Sequence, residues 1–493
     1  MPPGAAIRGR GWAWRVFFTC WLVYSVFWTP YLIREHFPAL ALVERGSLNV
    51  ERYAGWTQDI FPGPAGGAFI NNNPGASLAG AIPLLLFRPV LVRVDRWSQT
   101  LPRTQPVTDD GELFWRALAE GRAVYFMLVE FLTVALLMAP VTAGTIAFLC
   151  SRLIAAGIPG PKAAAASLLS GLATPMLFRA AHLNHNLLVA DAGFVALLLL
   201  WDPQGRRLAG WSATVAGLLA GYALLCDFSG LVVVAVAALY VWLRGSEQPG
   251  RARWRALTAY ALGVLPGAAG LMLYQAWAFG SFYRPSQHYM LPTAPTAHGY
   301  RGFDWPSPSL LWANFFDPRF GLFAYCPALM LAFAAPFLER VRYRVPRREM
   351  WILYAYFTLF VLFCAANQYS WLQPLTGLRY LVPVVPALAL LALETAQALP
   401  RALRWLVAAA AAAQSLAMAA AHENNLRDSL ATLWRRRGAL LWMIRLRDAG
   451  LDVPRWLPLL VWAVVAAVCL WICVLPRYSA APELSPGSGK SKR

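Results

Sequence analysis

Charge is the first thing this chain lacks. Only 14% of its 493 residues are Asp, Glu, Lys or Arg, and 58% are hydrophobic, whereas soluble domains are nearer a quarter charged. Several apolar runs reach the roughly 20 residues needed to cross a hydrocarbon core about 30 Å thick, which excludes a soluble multidomain enzyme. Cysteine supplies no framework. The seven (Cys20, Cys150, Cys226, Cys326, Cys364, Cys469 and Cys473) mostly lie in or beside apolar runs and include no CxxC pair, so neither a zinc site nor a disulfide scaffold is implied. A small-residue cleavage site is missing after the run Val16 to Ile33 that follows Arg8, Arg10 and Arg15, so that run reads as a retained first helix and not a signal peptide. No basic patch stands on an identifiable soluble fold. The net charge of +19 is therefore read as membrane topology, not nucleic-acid binding. No internal repeat of the transporter type is evident.

What is present is an all-α polytopic pattern of about twelve transmembrane helices. The first runs from about Trp14 to Ile33. Others are expected near Ala123–Leu149, Ala163–Phe178, Leu187–Trp201, Trp211–Leu225, Leu231–Leu243 and Leu257–Phe279. The remainder fall near Leu322–Leu338, Met350–Ala366, Leu378–Leu399, Trp405–Ala420 and Trp456–Leu475. With the N-terminus inside, Arg152/Lys162, Arg206/Arg207, Arg244–Arg255, Arg340–Arg348, Arg401/Arg404 and the basic tail all face the cytoplasm, as Lys and Arg in short loops should. The loop from His422 to Arg455, with Arg435-Arg436-Arg437, runs against that scheme. Both large loops, about 34–122 and 280–320, then lie on the extracytoplasmic face. Residues 1–400 read as one transmembrane catalytic module, and 401–493 as a C-terminal membrane region with an outer loop near 422–455 and a short basic tail.

The first outer loop organises the chain. Its stretch Ser47 to Pro83 carries Asp59 amid Gly and Pro, then Asn71-Asn72-Asn73-Pro74-Gly75, a turn that should start a new helix. The apolar segment Ala76–Val94, punctuated by Pro83 and Pro89, is expected to be interfacial. Asp59 is either a turn cap or a general base. His182 and His185, three apart at the outer end of the third span, would share a face on a helix and are candidates to touch a phosphate, a sugar hydroxyl or a metal; the alternative is a polar interhelical turn. The loop Gly280–Phe320 interleaves Arg284, Arg301 and Arg319 with Tyr283, Tyr300, Trp305 and Trp312. This suits either an anionic sugar-bearing ligand or an aromatic membrane belt. Arg379 stands at the outer mouth of a span, snorkelling or paired with a phosphate.

These stretches, in this order, resemble the polytopic C-type (GT-C) glycosyltransferases, most closely bacterial relatives of the dolichyl-phosphate-mannose protein mannosyltransferases (glycosyltransferase 39-like). The matching features are Asp59 in the first loop, Asn73-Pro74-Gly75, Pro318-Arg319-Phe320-Gly321-Leu322-Phe323, and Gly377-Leu378-Arg379-Tyr380-Leu381-Val382-Pro383. The chain departs where eukaryotic relatives carry Asp-Glu, since Ile60 follows Asp59, and where bacterial relatives carry Lys before Pro-Gly, since Asn73 stands there. The resemblance implies an inverting transfer of a sugar from a polyprenyl-phosphate donor to a glycan, lipid or protein acceptor at the outer face of a bacterial cytoplasmic membrane. Asp59 would be the base. Arg379, with Arg301 or Arg319, would bind the donor phosphate, and His182, His185, Asn73 and Tyr380 would line the substrate site. No cofactor is assigned with certainty, and a divalent cation is the one candidate. The competing readings are a polytopic transporter, a polysaccharide ligase or polymerase using lipid-linked sugars, and an inactive relative.

Overall fold

The computed structural model describes residues 3–64, 66–101, 112–203, 208–247, 250–290, 292–375, 377–423 and 425–474. The chain is a helical membrane protein. In order, α1 (Pro3–Val26) and α2 (His36–Arg45) lead to a hairpin of β1 (Ile60–Pro62) and β2 (Ala68–Ile70). Helices α3 (Gly75–Leu86), α4 (Arg88–Ser98) and α5 (Glu112–Ala119) complete the first loop. The next group is α6 (Ala123–Thr133), α7 (Ala139–Ala155), α8 (Gly160–Leu172), α9 (Pro175–Arg179), α10 (His185–Leu200), α11 (Gly210–Cys226), α12 (Gly230–Gly245) and α13 (Gly250–Phe279). After the second loop come α14 (Pro308–Phe316), α15 (Leu322–Tyr325), α16 (Glu339–Arg344), α17 (Arg347–Ala366) and α18 (Val385–Ala396). The chain closes with α19 (Arg401–Ala421), α20 (Leu426–Arg435), α21 (Leu441–Asp448) and α22 (Leu457–Val474).

By length and apolarity, four helices among the described residues can cross a bilayer: Ala123–Ala155, Gly250–Phe279, Arg347–Ala366 and Arg401–Ala421. The α3–α4 pair, bent by 82°, makes a fifth if counted as one span. The difference from twelve has a physical source in proline, which lacks the N–H a helix interior needs. The expected span Ala163–Phe178 breaks at Thr174-Pro175, and Leu322–Leu338 breaks at Cys326-Pro327, continuing as a 3-10 helix to Phe337. The span expected from Leu378 becomes α-helical only at Val385, beyond Pro383. Pro327–Phe337 and Val382–Ala396, with α10, α11, α12 and Leu457–Trp471 of α22, remain apolar but short. The fold is mostly all-α as expected, with one short hairpin added, paired antiparallel as Ile60↔Ile70, Phe61↔Phe69 and Pro62↔Ala68. Gly66 and Gly67 take φ +95° and +77° to close its turn, a conformation side chains disfavour.

Within the first long helix, the Ala139 N–H bonds to Val134 O, one residue further back than an α-helix allows, giving a π turn over Val134–Met138. The freed Ala135 carbonyl accepts Trp21 Nε1–H at 2.7 Å, tying α1 to this helix. Helices α11 and α13 meet backbone to backbone. A Cβ on Gly217 or Gly267 would lie 2.1 Å from Tyr260 O or Gly221 O respectively. The two segments Gly217–Gly221 and Gly263–Gly267 thus form a paired small-xxx-small seam. Gly267→Leu is expected to force the pair apart at a cost of about 1–3 kcal/mol, as overpacking does; a reduced monodisperse fraction after detergent extraction, measured against Gly270→Ala, is the check. The C-terminal region packs on the start of the first loop: Trp442 Nε1 donates to Val26 O at 3.0 Å and Arg445 Nη2 to the Tyr31 hydroxyl at 2.8 Å.

Candidate active site

Helix α1 ends at Val26, and the connection that follows is tied by Thr29 N–H donating to Ala181 O at 2.8 Å. It delivers Arg34 and Glu35 to one end of the helices. Ser77 Oγ donates to Glu35 O at 2.8 Å from the first turn of α3. That turn can approach because position 75 is glycine; a Cβ there would meet the backbone of Leu225 and Cys226 at 2.7 Å. Asn73 Nδ2 donates to Leu224 O at 2.9 Å and locks the same contact. On the other side, Asn184 accepts Leu187 N–H at 2.8 Å, caps α10, and donates to Arg179 O at 2.6 Å. His185 is thereby fixed as the first residue of α10.

These elements converge on one polar cluster. Glu35 Oε1 lies 2.5 Å from His185 Nδ1 and accepts Asn72 Nδ2–H at 2.5 Å. Arg34 stands between two carboxylates, with Nη1 3.1 Å from Asp59 Oδ2 and Nε 3.6 Å from Glu35 Oε1. Asp59 Oδ1 accepts a 3.4 Å bond from Asn71 Nδ2, and Asp227 Oδ2 is 3.7 Å from His185 Nε2. Burial alone would push the Glu35 carboxyl up, but the hydrogen bond and charge of His185, with the charge of Arg34, hold it well below the usual range. Burial works against the Arg34 charge too, and Asp59 and Glu35 overcome it and raise its affinity for the proton. Glu35 is thus an enclosed anion, whereas the Asp59 side chain is 35% exposed and reachable. Behind the cluster lies a second, fully buried pair, His36 Nε2 and Glu130 Oε2 at 2.9 Å.

Of the expected site residues, Asp59, His185 and Asn73 come together here, with Asn73 serving a backbone contact. Tyr380 is within electrostatic reach of Arg379, Arg34 and Asp227. Arg379 lies over the Tyr380 ring at 4.8 Å, with Nη2 3.3 Å from its hydroxyl. His182 does not share a helix face with His185. Asn184 caps α10 after it, so His182 sits in the preceding turn, where burial and the Arg179 charge keep its imidazole neutral. Arg301 occupies a left-handed turn at φ 53°, and its charge reaches Tyr369, which also feels Asp59. The Arg319 guanidinium, 57% exposed, is held by both Asp317 oxygens at 3.1 and 2.9 Å, and no described contact joins it to the cluster. Sequence reading missed Arg34, Glu35, Asn72 and Asp227. Its one available signal was Arg34-Glu35-His36, three titratable residues in a row directly after the first apolar run. The second loop covers the cluster, with Ser286 Oγ donating to Asn71 O at 2.6 Å. Among the described residues, no three His, Cys, Asp or Glu side chains are arranged to hold a metal ion.

Comparison with family models, characterised proteins and solved structures finds no match for this chain.

Proposed function

We propose that the protein is a membrane glycosyltransferase moving a sugar from a polyprenyl-phosphate donor to a hydroxyl acceptor at the extracytoplasmic face, with inversion. In this reading the apolar helices, short ones included, make about twelve spans of a GT-C-like module in a bacterial cytoplasmic membrane. The observation that carries it is the junction of a reachable carboxylate, Asp59, with the cations Arg34 and Arg379 around Tyr380 at one end of the helices. The acceptor O–H proton passes to Asp59 as that oxygen bonds to the anomeric carbon. The bond from that carbon to the phosphate oxygen breaks, and its electron pair leaves on the lipid phosphate. Cations placed where this charge develops lower the barrier.

The test is transfer of labelled sugar from a panel of polyprenyl-phosphate donors in membranes containing the wild type. Arg379→Gln is expected to lose about 10²–10³ of the rate, as removal of a charge-stabilising donor does, while Arg319→Gln stays within about twofold because its ion pair lies outside the cluster. Equal losses in the two variants would sink the assignment of Arg379. A transporter reading draws on Asp191, buried within α10 and accepting Thr142 Oγ1–H at 2.7 Å, since an intramembrane carboxylate often marks a pathway. Wild type that transfers no sugar from any donor, yet loses solute flux in Asp191→Asn, would favour it.

A further inference from the structure

The turn bearing Arg379 and Tyr380 is held by one side chain. Gln373 is fully buried at the end of a 3-10 segment, Gln368–Leu375. Its Oε1 accepts the backbone N–H of Arg379 at 3.1 Å and of Tyr380 at 3.0 Å. Its Nε2 donates to Asn314 Oδ1 at 2.9 Å and to Ser370 O at 3.2 Å. A glutamine amide has two donors and two acceptor lone pairs, and all four are used. The turn approaches through Gly377 at φ +70°, where a Cβ would lie 2.4 Å from the Tyr325 hydroxyl. From this anchor the Arg379 side chain lies over Tyr380, and its buried Nε–H has no acceptor among the described residues. The carboxylates of the cluster are already engaged: Glu35 by His185 and Asn72, Asp59 by Arg34, and Asp227, whose charge reaches Tyr380, by the Ser229 N–H at 2.8 Å. A guanidinium donor without an acceptor, in a cluster whose carboxylates are occupied, suits an oxyanion arriving from outside, and phosphate matches its fork.

We infer that Gln373 is a positioning residue that aims Arg379 at the phosphate of a polyprenyl ligand by clamping two consecutive backbone N–H groups. This rests on Arg379 being the phosphate ligand. Gln373 itself touches no ligand; it acts through the turn. Replacing it by leucine leaves two part-buried N–H groups and the Asn314 amide without their partner, so the turn shifts to find water. Replacing it by glutamate keeps an acceptor for both N–H groups, its carboxyl in the protonated form donates to Ser370 O as Nε2 did, and Asn314 Nδ2, which has no acceptor among the described residues, can turn to donate to it.

The experiment uses the full chain in detergent and two probes, a polyprenyl monophosphate and the matching uncharged polyprenol. The quantity read is the ratio of their dissociation constants, because a general packing defect weakens both lipids alike. Wild type is expected to prefer the phosphate. Arg379→Gln and Gln373→Leu should each reduce that preference about tenfold or more, the range for a hydrogen bond to a charged group. The double variant should fall no further than either single one, and Gln373→Glu should stay within about twofold of wild type. A preference retained in Gln373→Leu but lost in Arg379→Gln overturns the positioning role and leaves the phosphate site standing. Additive losses, or an equal loss for the polyprenol, overturn it as well. No preference in wild type, or none lost in Arg379→Gln, removes the phosphate reading itself and the role of Gln373 with it.

Discussion

Asp59→Asn is expected to lower sugar transfer by about 10²–10⁴-fold, the contribution of a positioned general base, with the folded yield unchanged. Asparagine keeps the shape and its one oxygen can still accept from Arg34, so only the long 3.4 Å bond that Asn71 makes to the other oxygen is lost. What it cannot do is accept a proton from the acceptor hydroxyl. Exposure also favours a selective effect: the side chain is 35% exposed, and Arg34 keeps its contact to Glu35 at 3.6 Å when the Asp59 charge is gone. The check is initial rate in membranes with matched protein levels, judged by detergent-solubilised yield. A variant that transfers sugar at the wild-type rate would keep the enzyme and remove Asp59 from the chemistry.

Glu35→Ala should instead unfold the end of the helical bundle that holds the cluster. Its carboxylate is 3% exposed and balances Arg34 and His185, whose side chains are 15% and 5% exposed. Removing one member of such a buried set costs about 3–5 kcal/mol, enough to lower the detergent melting temperature by many degrees. Glu35→Gln, which keeps an acceptor for Asn72, should fall between the two. The pH dependence has a definite sign. The folded Glu35 carboxyl is held below its ordinary value, so its stabilisation is present above the unfolded value, near about 4.3. It is lost as pH falls from there through the folded value. Thermal unfolding of the wild type between pH 7 and pH 3 should therefore weaken in the acid range, with a shallower slope in Glu35→Gln. An identical slope in the two proteins would mean that another carboxylate sets the acid response.

Most helix positions could be read from the apolar runs, because burial in lipid or protein demands them: Leu187–Trp201 was expected where α10 runs from His185 to Leu200, and Met350–Ala366 where α17 ends at Ala366. Their lengths could not, since Pro175, Pro327 and Pro383 cut helices where hydrophobicity alone continues them. The break at Asn73-Pro74-Gly75 was legible from turn chemistry. The hairpin was not, because Ile60–Pro62 and Ala68–Ile70 are only three residues each and sit inside a Gly/Pro-rich loop. Asp59 stood out as a lone acid in that loop. Its companions did not, as Glu35 meets His185 only through a contact 150 residues long in sequence, and no local pattern encodes such a meeting. Arg319 misled for the opposite reason: its partner Asp317 is two residues away, and short-range pairing left it outside the cluster.

The glycine seam between α11 and α13 also bears on the order in which the protein is assembled during synthesis. Its two strips come from neighbouring helices of one short stretch, so they can dock as soon as α13 leaves the ribosome and enters the bilayer. The acidic cluster requires the first loop to wait for α10, and the Arg379 turn is made later still. Local contacts form before distant ones because shorter chain closures lose less entropy. The α11–α13 pair is then a finished template, presenting Leu224 O and the backbone of Leu225 and Cys226 to Asn73 and Gly75. Premature truncation after α13 would leave a well-packed helical pair with an unfinished site, recognisable by protease resistance of α11–α13 in nascent chains.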